Sequence, residues 1–245
     1  MNNPTLAPSL QKPELGVSRL LPLTLEDYPQ QRACVLYCQG CLWCDGRGQL
    51  AEPLRVACPG ELCWSEIEAF LVRRRGRLDA VIFGGDEPTQ QRDLYGAMQR
   101  VRELGFKVGL HSSGVHHERF RQALHGVDWV GFEVRSAPPQ ARRAGSPEGG
   151  WVHWRSLGDL IDSGVEHEVR LNWHPQLLSL DVLETVAERL RTLGVRHLAV
   201  RELQGQRLPG PSIPTPRFTD VVRAEVRQRL ARFWPELVWR TVFKY

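Results

Sequence analysis

Four cysteines lie within eleven consecutive residues of this chain: Cys34, Cys38, Cys41 and Cys44. They form two overlapping triplets, because the first three are spaced C-x3-C-x2-C and the last three are spaced C-x2-C-x2-C. Thiolates are the usual ligands of iron–sulfur clusters, and short spacings let one loop surround a single cluster. The spacing therefore favours an iron–sulfur site as the centre of this protein's chemistry.

Two other interpretations of these thiols stay open at this point. A zinc site usually takes a second ligand pair further along the chain, and Cys58 and Cys63 match that spacing poorly. Free cysteines are also among the most frequently buried residues, so the thiols could simply belong to a core.

The elements that must position the thiols alternate between strands and helices. Short apolar runs with the length of buried parallel strands occur at Ala33–Tyr37, Ala80–Phe83, Lys107–Leu110, Trp129–Val134, Glu168–Leu171 and His197–Val200. Amphipathic segments lie between them, at Ser65–Arg75, Gln91–Leu104, Glu118–Leu124, Trp154–Asp162 and Leu180–Leu193. Six strand–helix repeats predict an α/β fold with a parallel sheet, either open or closed into part of a barrel.

Polar residues follow the predicted strands at the edge where such folds bind their ligands, beyond the carboxyl ends of the strands. The glycines in one of these loops permit close backbone approach, and its carboxylates could receive an ammonium group. A second loop carries hydroxyls, and an arginine in the fifth strand either points outward or pairs with a ligand carboxylate. The predicted cofactor-binding residues are Gly84, Gly85, Asp86, Glu87, Ser112, Ser113 and Arg170.

Composition and charge exclude several classes of protein. The 245 residues are 42% hydrophobic and 24% charged, which is ordinary for a globular domain. A formal charge of +4, spread over predicted helices, does not indicate nucleic-acid binding. No membrane span or secretory signal is recognisable, so we expect a cytoplasmic protein whose clustered thiols are reduced.

The chain divides into three parts by composition. We expect a loose tail over residues 1–15, a barrel domain over residues 16–207, and a proline-rich linker with a last helix over residues 208–245. The helix is predicted at about Thr219–Phe233.

Taken together, these residues resemble the radical S-adenosylmethionine superfamily, and more narrowly the activating proteins of anaerobic ribonucleoside-triphosphate reductase. The likeness runs from about Leu23 to Arg201 and is carried by Thr24–Pro29, Cys38–Trp43, Glu87–Thr89, Leu104–His111, Val127–Phe132 and Ser163–Arg170. The resemblance implies a partial (βα)6 barrel. It also implies a 4Fe–4S cluster on three cysteines, with S-adenosylmethionine on the fourth iron, whose reductive cleavage gives a 5′-deoxyadenosyl radical.

The resemblance further implies partners. The family's typical target is a glycine on a partner protein, which becomes a glycyl radical, as in an anaerobic ribonucleotide reductase. An electron donor such as flavodoxin or ferredoxin would reduce the cluster.

The sequence departs from the family pattern at two places. The family continues the Gln-Gly-Cys segment as C-x3-C-x2-C from the position of Cys41, but only two residues separate Cys41 from Cys44. Cys34 would lie inside the first predicted strand, roughly 13 Å along the chain from Cys38. We therefore expect Cys38, Cys41 and Cys44 to bind the metal, with Cys34 as the alternative third ligand.

The second departure is Asp86, which stands before Glu87 where the family has Gly-Gly-Glu-Pro. Two functions remain open on this basis. One is a working radical enzyme with an altered cysteine triplet, and the other is a diverged binding or regulatory protein that keeps the barrel without standard catalysis.

Overall fold

One sheet of eight strands organises the molecule, and its spatial order follows the chain. The computed structural model describes residues 13–39, 62–134, 149–173, 179–204, 220–235 and 237–243. The strands are β1 (Val17–Thr24), β2 (Ala33–Cys38), β3 (Ala80–Gly85), β4 (Lys107–Ser112), β5 (Trp129–Val134), β6 (Glu166–Trp173), β7 (Leu198–Gln204) and β8 (Val238–Phe243). β1 runs antiparallel to β2, and all later neighbouring pairs are parallel.

A helix follows each of the six strands from β2 to β7. The helices are α1 (Trp64–Arg74), α2 (Leu94–Glu103), α3 (His117–Ala123), α4 (Gly149–Ser163), α5 (Leu180–Thr192) and α6 (Asp220–Ala231). Short 3-10 turns at Pro88–Gln90 and Leu124–Gly126 precede α2 and follow α3. The predicted α/β fold, a partial (βα)6 barrel of parallel strands, is confirmed, and β1 and β8 extend it at its two edges.

The spacing of apolar residues explains how the helices pack on the sheet. In α2, the buried positions are Leu94, Ala97, Met98 and Val101, which follow the i, i+3, i+4, i+7 pattern of one helix face. α5 repeats this pattern, and its buried residues are Leu183, Val186, Ala187 and Leu190. Glycines with positive φ follow the C-terminal ends of α1, α2, α4 and α5, and they are Gly76, Gly105, Gly164 and Gly194.

Alternation along the strands gives the sheet two distinct faces. Even-numbered residues of β2 and odd-numbered residues of β3, such as Leu36 and Phe83, lie in one large core with the helices. The opposite face forms the interior of the partial barrel. Near the strand starts this interior is apolar, and Tyr28 stacks on Trp129 with ring centroids 4.8 Å apart.

The C-terminal segment belongs to the same sheet. β8 pairs in parallel with β7, and Val226, Leu230 and Trp234 are buried in the core shared with the other helices. Sequence analysis predicted a linker and a helix here but missed the strand. Among the described residues, no helix is long and apolar enough to cross a bilayer.

Candidate functional site

A buried carboxylate joins the ends of β3 and β4. Glu87 is only 2% exposed, and its two oxygens accept hydrogen bonds from the hydroxyls of Thr89, Ser112 and Ser113 at 2.7 to 2.8 Å. The backbone N–H of Ser113 donates to the same carboxylate at 2.9 Å. Because both oxygens have several donors, Glu87 fixes the loop after β4 relative to the loop after β3.

The turn after β3 places the neighbouring carboxylates of Asp86 and Glu87 in different surroundings. Gly85 has φ of +101°, and a Cβ there would lie 2.5 Å from the carbonyl oxygen of Cys38, so only glycine fits. The side chain of Asp86 is exposed at this turn, whereas that of Glu87 is buried. The additional carboxylate that distinguishes this sequence therefore lies at the surface of the barrel mouth, and Glu87 keeps a buried position.

Helix α4 holds the loop after β4 from the other side. His153 Nδ1 donates to the carbonyl of Ser113, and the hydroxyl of Ser156 donates to the carbonyl of Gly114 at 2.6 Å. Gly114 has positive φ, and its missing side chain leaves room for Ser156. Sequence analysis missed His153 and Ser156, because nothing in a helical segment marks which residues reach a distant turn.

Arg170 lies inside the barrel, where it is 1% exposed. Its guanidinium donates to Glu168 at 2.9 Å, to His111 Nε2 at 2.9 Å and to the carbonyl of Asp27 at 2.8 Å. Arg240 of β8 also binds both oxygens of Glu168. Of the two orientations that the sequence left open for Arg170, the structure shows the inward one, with the guanidinium engaged by protein groups.

Burial and neighbouring charges set the protonation of this interior cluster. Burial, helped by the positive charge of Arg170, lowers the pKa of His111 to about 3, so the ring is neutral. Since an arginine can only donate, Nε2 accepts from Arg170, and its 3.1 Å approach to the Asp27 carbonyl is not a hydrogen bond. Burial alone would raise the pKa of Glu168, but Arg240 and Arg170 hold it below its usual value.

Above this cluster, polar side chains line the carboxyl end of the interior. Glu133 forms an ion pair with Arg201 at 2.9 Å and accepts a longer bond of 3.4 Å from the amide of Asn172. The Oδ1 atom of Asn172 is buried and has no hydrogen-bond partner among the described residues. On the neighbouring wall, Arg19 lies 4.1 Å from the ring centroid of Tyr37. This arrangement offers an acceptor and a paired carboxylate to a polar ligand.

The structure places two of the four clustered cysteines away from this interior. Cys34 and Cys38 are both in β2, with side chains 0% and 2% exposed in the core that faces the helices. The first strand was predicted to end at Tyr37, which left Cys38 on the loop that follows, but Cys38 is the last residue of β2. Burial raises the pKa of Cys34 to about 12, and burial together with Glu87 and Asp86 raises the pKa of Cys38.

Of the other four cysteines, Cys63 is the one within the described residues. Cys41, Cys44 and Cys58 lie outside the described residues. Cys63 is exposed at the start of α1, with its Sγ 3.0 Å from the hydroxyl of Ser65. Within the described ranges, no three His, Cys, Asp or Glu residues are grouped as a metal site would require. The described thiols therefore do not fit a cluster ligand set.

Solved structures of other proteins resemble this chain in fold. A crystal structure of SuiB from Streptococcus suis bound to S-adenosylmethionine matches with a TM-score of 0.56 and 11% identity, over 84% of this chain and 48% of that one. A radical SAM methyltransferase from Sphaerobacter thermophilus matches with a TM-score of 0.53 and 18% identity, over 88% of this chain and 67% of that one. This chain has the radical S-adenosylmethionine fold. The predicted resemblance to that superfamily is confirmed.

A sequence relative points the same way over part of the chain. A protein of Methanocaldococcus jannaschii, named provisionally as a glycyl-radical enzyme activating enzyme, is 26% identical over 126 residues. The match spans 49% of this chain and 50% of the relative. No protein-family model matches the chain. The radical S-adenosylmethionine fold is thus established by structure, with a distant activating-enzyme relative in support.

Proposed function

We propose that this protein binds S-adenosylmethionine at the carboxyl end of its barrel and acts, as an activating enzyme does, on a partner protein. The observation that carries this proposal is the buried Glu87, which joins the end of β3, at Gly84 and Gly85, to the end of β4, at Ser112 and Ser113. The end of β3, which carries the glycines, and the end of β4, which carries the hydroxyls, are thereby held together at the edge where α/β folds bind ligands.

Two side chains, those of Asp86 and Asn172, would contact the ligand directly. The exposed carboxylate of Asp86 is suited to the ligand's ammonium group, since it lies at the mouth next to Gly85. Asn172 Oδ1, which lacks a partner among the described residues, would accept a hydrogen bond from a ligand hydroxyl or amine. Arg170 supports this site from below by fixing the interior, rather than by meeting the ligand's carboxylate.

The metal centre of this proposal rests on the sequence. We propose Cys41 and Cys44 as thiolate ligands of a 4Fe–4S cluster, whereas Cys38, the predicted third ligand, faces the core. When bound, the cluster and S-adenosylmethionine would supply the reductive cleavage that forms a glycyl radical on a partner such as an anaerobic ribonucleotide reductase. Flavodoxin or ferredoxin is the corresponding electron donor in a cytoplasmic setting.

A specific observation favours a second candidate function. Cys38 belongs to both cysteine triplets of the sequence, and it lies in the core with Cys34, so neither triplet has all three thiols free of the core for the arrangement that leaves one iron open. The alternative is a binding or regulatory protein that keeps the nucleoside site but does not cleave the ligand.

Anaerobic binding measurements separate these functions. We expect S-adenosylmethionine to bind by isothermal titration calorimetry, and we expect Asn172→Leu to weaken binding about tenfold, the effect of roughly 1.4 kcal/mol. Gln122→Leu, on the exposed face of α3, is the matched control. Release of 5′-deoxyadenosine after reconstitution with iron and sulfide, and reduction, would establish the enzyme. Binding without release would support the second function, and absence of binding would overturn the proposal.

A further inference from the structure

Strand β2 directs its two cysteines toward the helices. Ala33 and Val35 lie in the small apolar cluster of the barrel interior, and Cys34, Leu36 and Cys38 alternate with them on the other face. Both thiols share a continuous core with the buried residues of α1, which are Trp64, Ile67 and Leu71. A ligand in the interior is therefore separated from these thiols by the sheet itself.

The backbone of Cys38 is bound on both sides. On one side Cys38 is paired with Val17 of β1, and on the other the N–H of Asp86 donates to its carbonyl at 3.2 Å. Turning the thiol to the interior would require rotating this residue within the strand, because adjacent strand positions face opposite sides of a sheet. Such a rotation breaks the hydrogen bond from Asp86 and takes a buried side chain out of the core.

The following residue is fixed as well. The N–H of Gln39 donates to the carbonyl of Gly16 at 2.9 Å, and the side chain of Gln91 donates to the carbonyl of Gln39 at 2.6 Å. The same Gln91 side chain accepts from the N–H of Gly16 at 3.1 Å. These contacts hold the end of β2 in register as the chain leaves the sheet.

We infer that Cys34 and Cys38 are structural core thiols, and that the metal-binding thiolates of this protein exclude both. The inference deepens the proposed function, on which it rests for the identity of the metal group. The chain has six cysteines, so four others remain for any metal. The Cα atoms of the two core thiols are also four residues apart in a strand, roughly 13 Å, whereas two sulfurs bound to one metal, each about 2.3 Å from it, lie at most about 4.6 Å apart.

Thiol labelling tests the inference without any variant. We expect N-ethylmaleimide, applied to native protein after chelation of all metal, to modify Cys34 and Cys38 at least a hundredfold more slowly than Cys63. Mass spectrometry of peptides reads out each site, and urea-unfolded protein provides the full labelling. Labelling of Cys38 at a rate close to that of Cys63 would overturn the inference.

Iron content of variants gives the second measurement. After anaerobic reconstitution, we expect Cys34→Ala and Cys38→Ala to keep the iron-to-protein ratio of the parent, and Cys41→Ala to lose most of it. Serine at either core position should lower the melting temperature more than alanine does, because it buries a hydroxyl. Loss of iron in folded Cys38→Ala, with circular dichroism like the parent's, would refute the assignment.

The two proposals fail in different ways in this design. Parent protein that takes up no iron contradicts the proposed cluster. The labelling rates still test whether Cys34 and Cys38 are core thiols. Parent protein that takes up iron while Cys38 labels rapidly after chelation supports the cluster and contradicts the core assignment.

Discussion

The carboxylate of Glu87 provides a direct test of how the mouth of the barrel is held together. Glu87→Gln keeps the shape of the side chain but removes its charge, and Glu87→Ala removes every acceptor. An amide can still present its oxygen to the N–H of Ser113, while its NH2 group faces the hydroxyls of Thr89 and Ser112, which can rotate to accept. The two substitutions therefore differ in how many donors they leave without a partner.

The expected losses of unfolding free energy follow from the hydrogen bonds that each substitution removes. Hydrogen bonds to a charged group contribute about 1.5–3 kcal/mol and neutral ones about 1 kcal/mol, so we expect Glu87→Gln to cost about 2 kcal/mol. Glu87→Ala leaves the Ser113 N–H and three hydroxyls without their acceptor, and we expect a loss of about 4 kcal/mol. For a chain of this size, these losses lower the melting temperature by about 6 °C and about 12 °C.

Urea unfolding followed by tryptophan fluorescence and circular dichroism measures both values. Glu188→Gln makes the same chemical change on the exposed surface of α5, and we expect it to alter the unfolding free energy by less than about 0.5 kcal/mol. The reasoning would be refuted if Glu87→Gln and Glu87→Ala both matched this control. It would also be refuted if alanine were tolerated better than glutamine, since the unsatisfied donors would then carry no cost.

Two further predictions concern the interior. Since the pKa of His111 is lowered to about 3, the unfolded chain binds a proton that the folded chain does not between pH 6.5 and 3. The free energy of unfolding therefore decreases as the pH is lowered through this range. His111→Gln should flatten this dependence by about 1.4 kcal/mol per pH unit in urea titrations from pH 6 to 4, and His125→Gln, which is exposed, should not. Gly131→Ala should cost about 2 kcal/mol, because a Cβ would lie 2.9 Å from Arg170, and Gly158→Ala, in open space, should stabilise by about 0.5 kcal/mol. Equal melting temperatures for the two alanine variants would contradict the packing.

The sequence predicted the repeating part of the fold well, and it missed the edges for a physical reason. Each predicted parallel strand is present, because strands buried on both faces are continuous apolar runs. β1 is an edge strand with irregular burial and an exposed Pro22, so neither a continuous run nor an alternation marks it. β8 follows a proline-rich segment that suggested a linker.

The site was predicted as a set of positions but not as a set of contacts. Parallel strands bring their carboxyl ends to one edge, so Glu87, Ser112 and Ser113 were placed together correctly in outline. The sequence could not show that Glu87 binds the serines, or that His153 and Ser156 reach the same turn. Their hydrogen bonds span 25 to 42 residues and depend on tertiary packing, for which periodicity carries no signal.

The alternation of side chains along β2 explains why Cys34 and Cys38 both lie in the core. Spacing along a chain counts residues, whereas a side chain's role in a sheet depends on whether its position is odd or even. The C-x3-C spacing of Cys34 and Cys38 puts both thiols on one face of β2, and the interior is reached only from the positions between, such as Val35 and Tyr37. A spacing typical of a metal-binding loop thus has a different physical meaning when a strand extends through it. Asp86 lies outside this alternation, because it follows β3 in the turn at Gly85, where its side chain is exposed while Glu87 keeps a buried position.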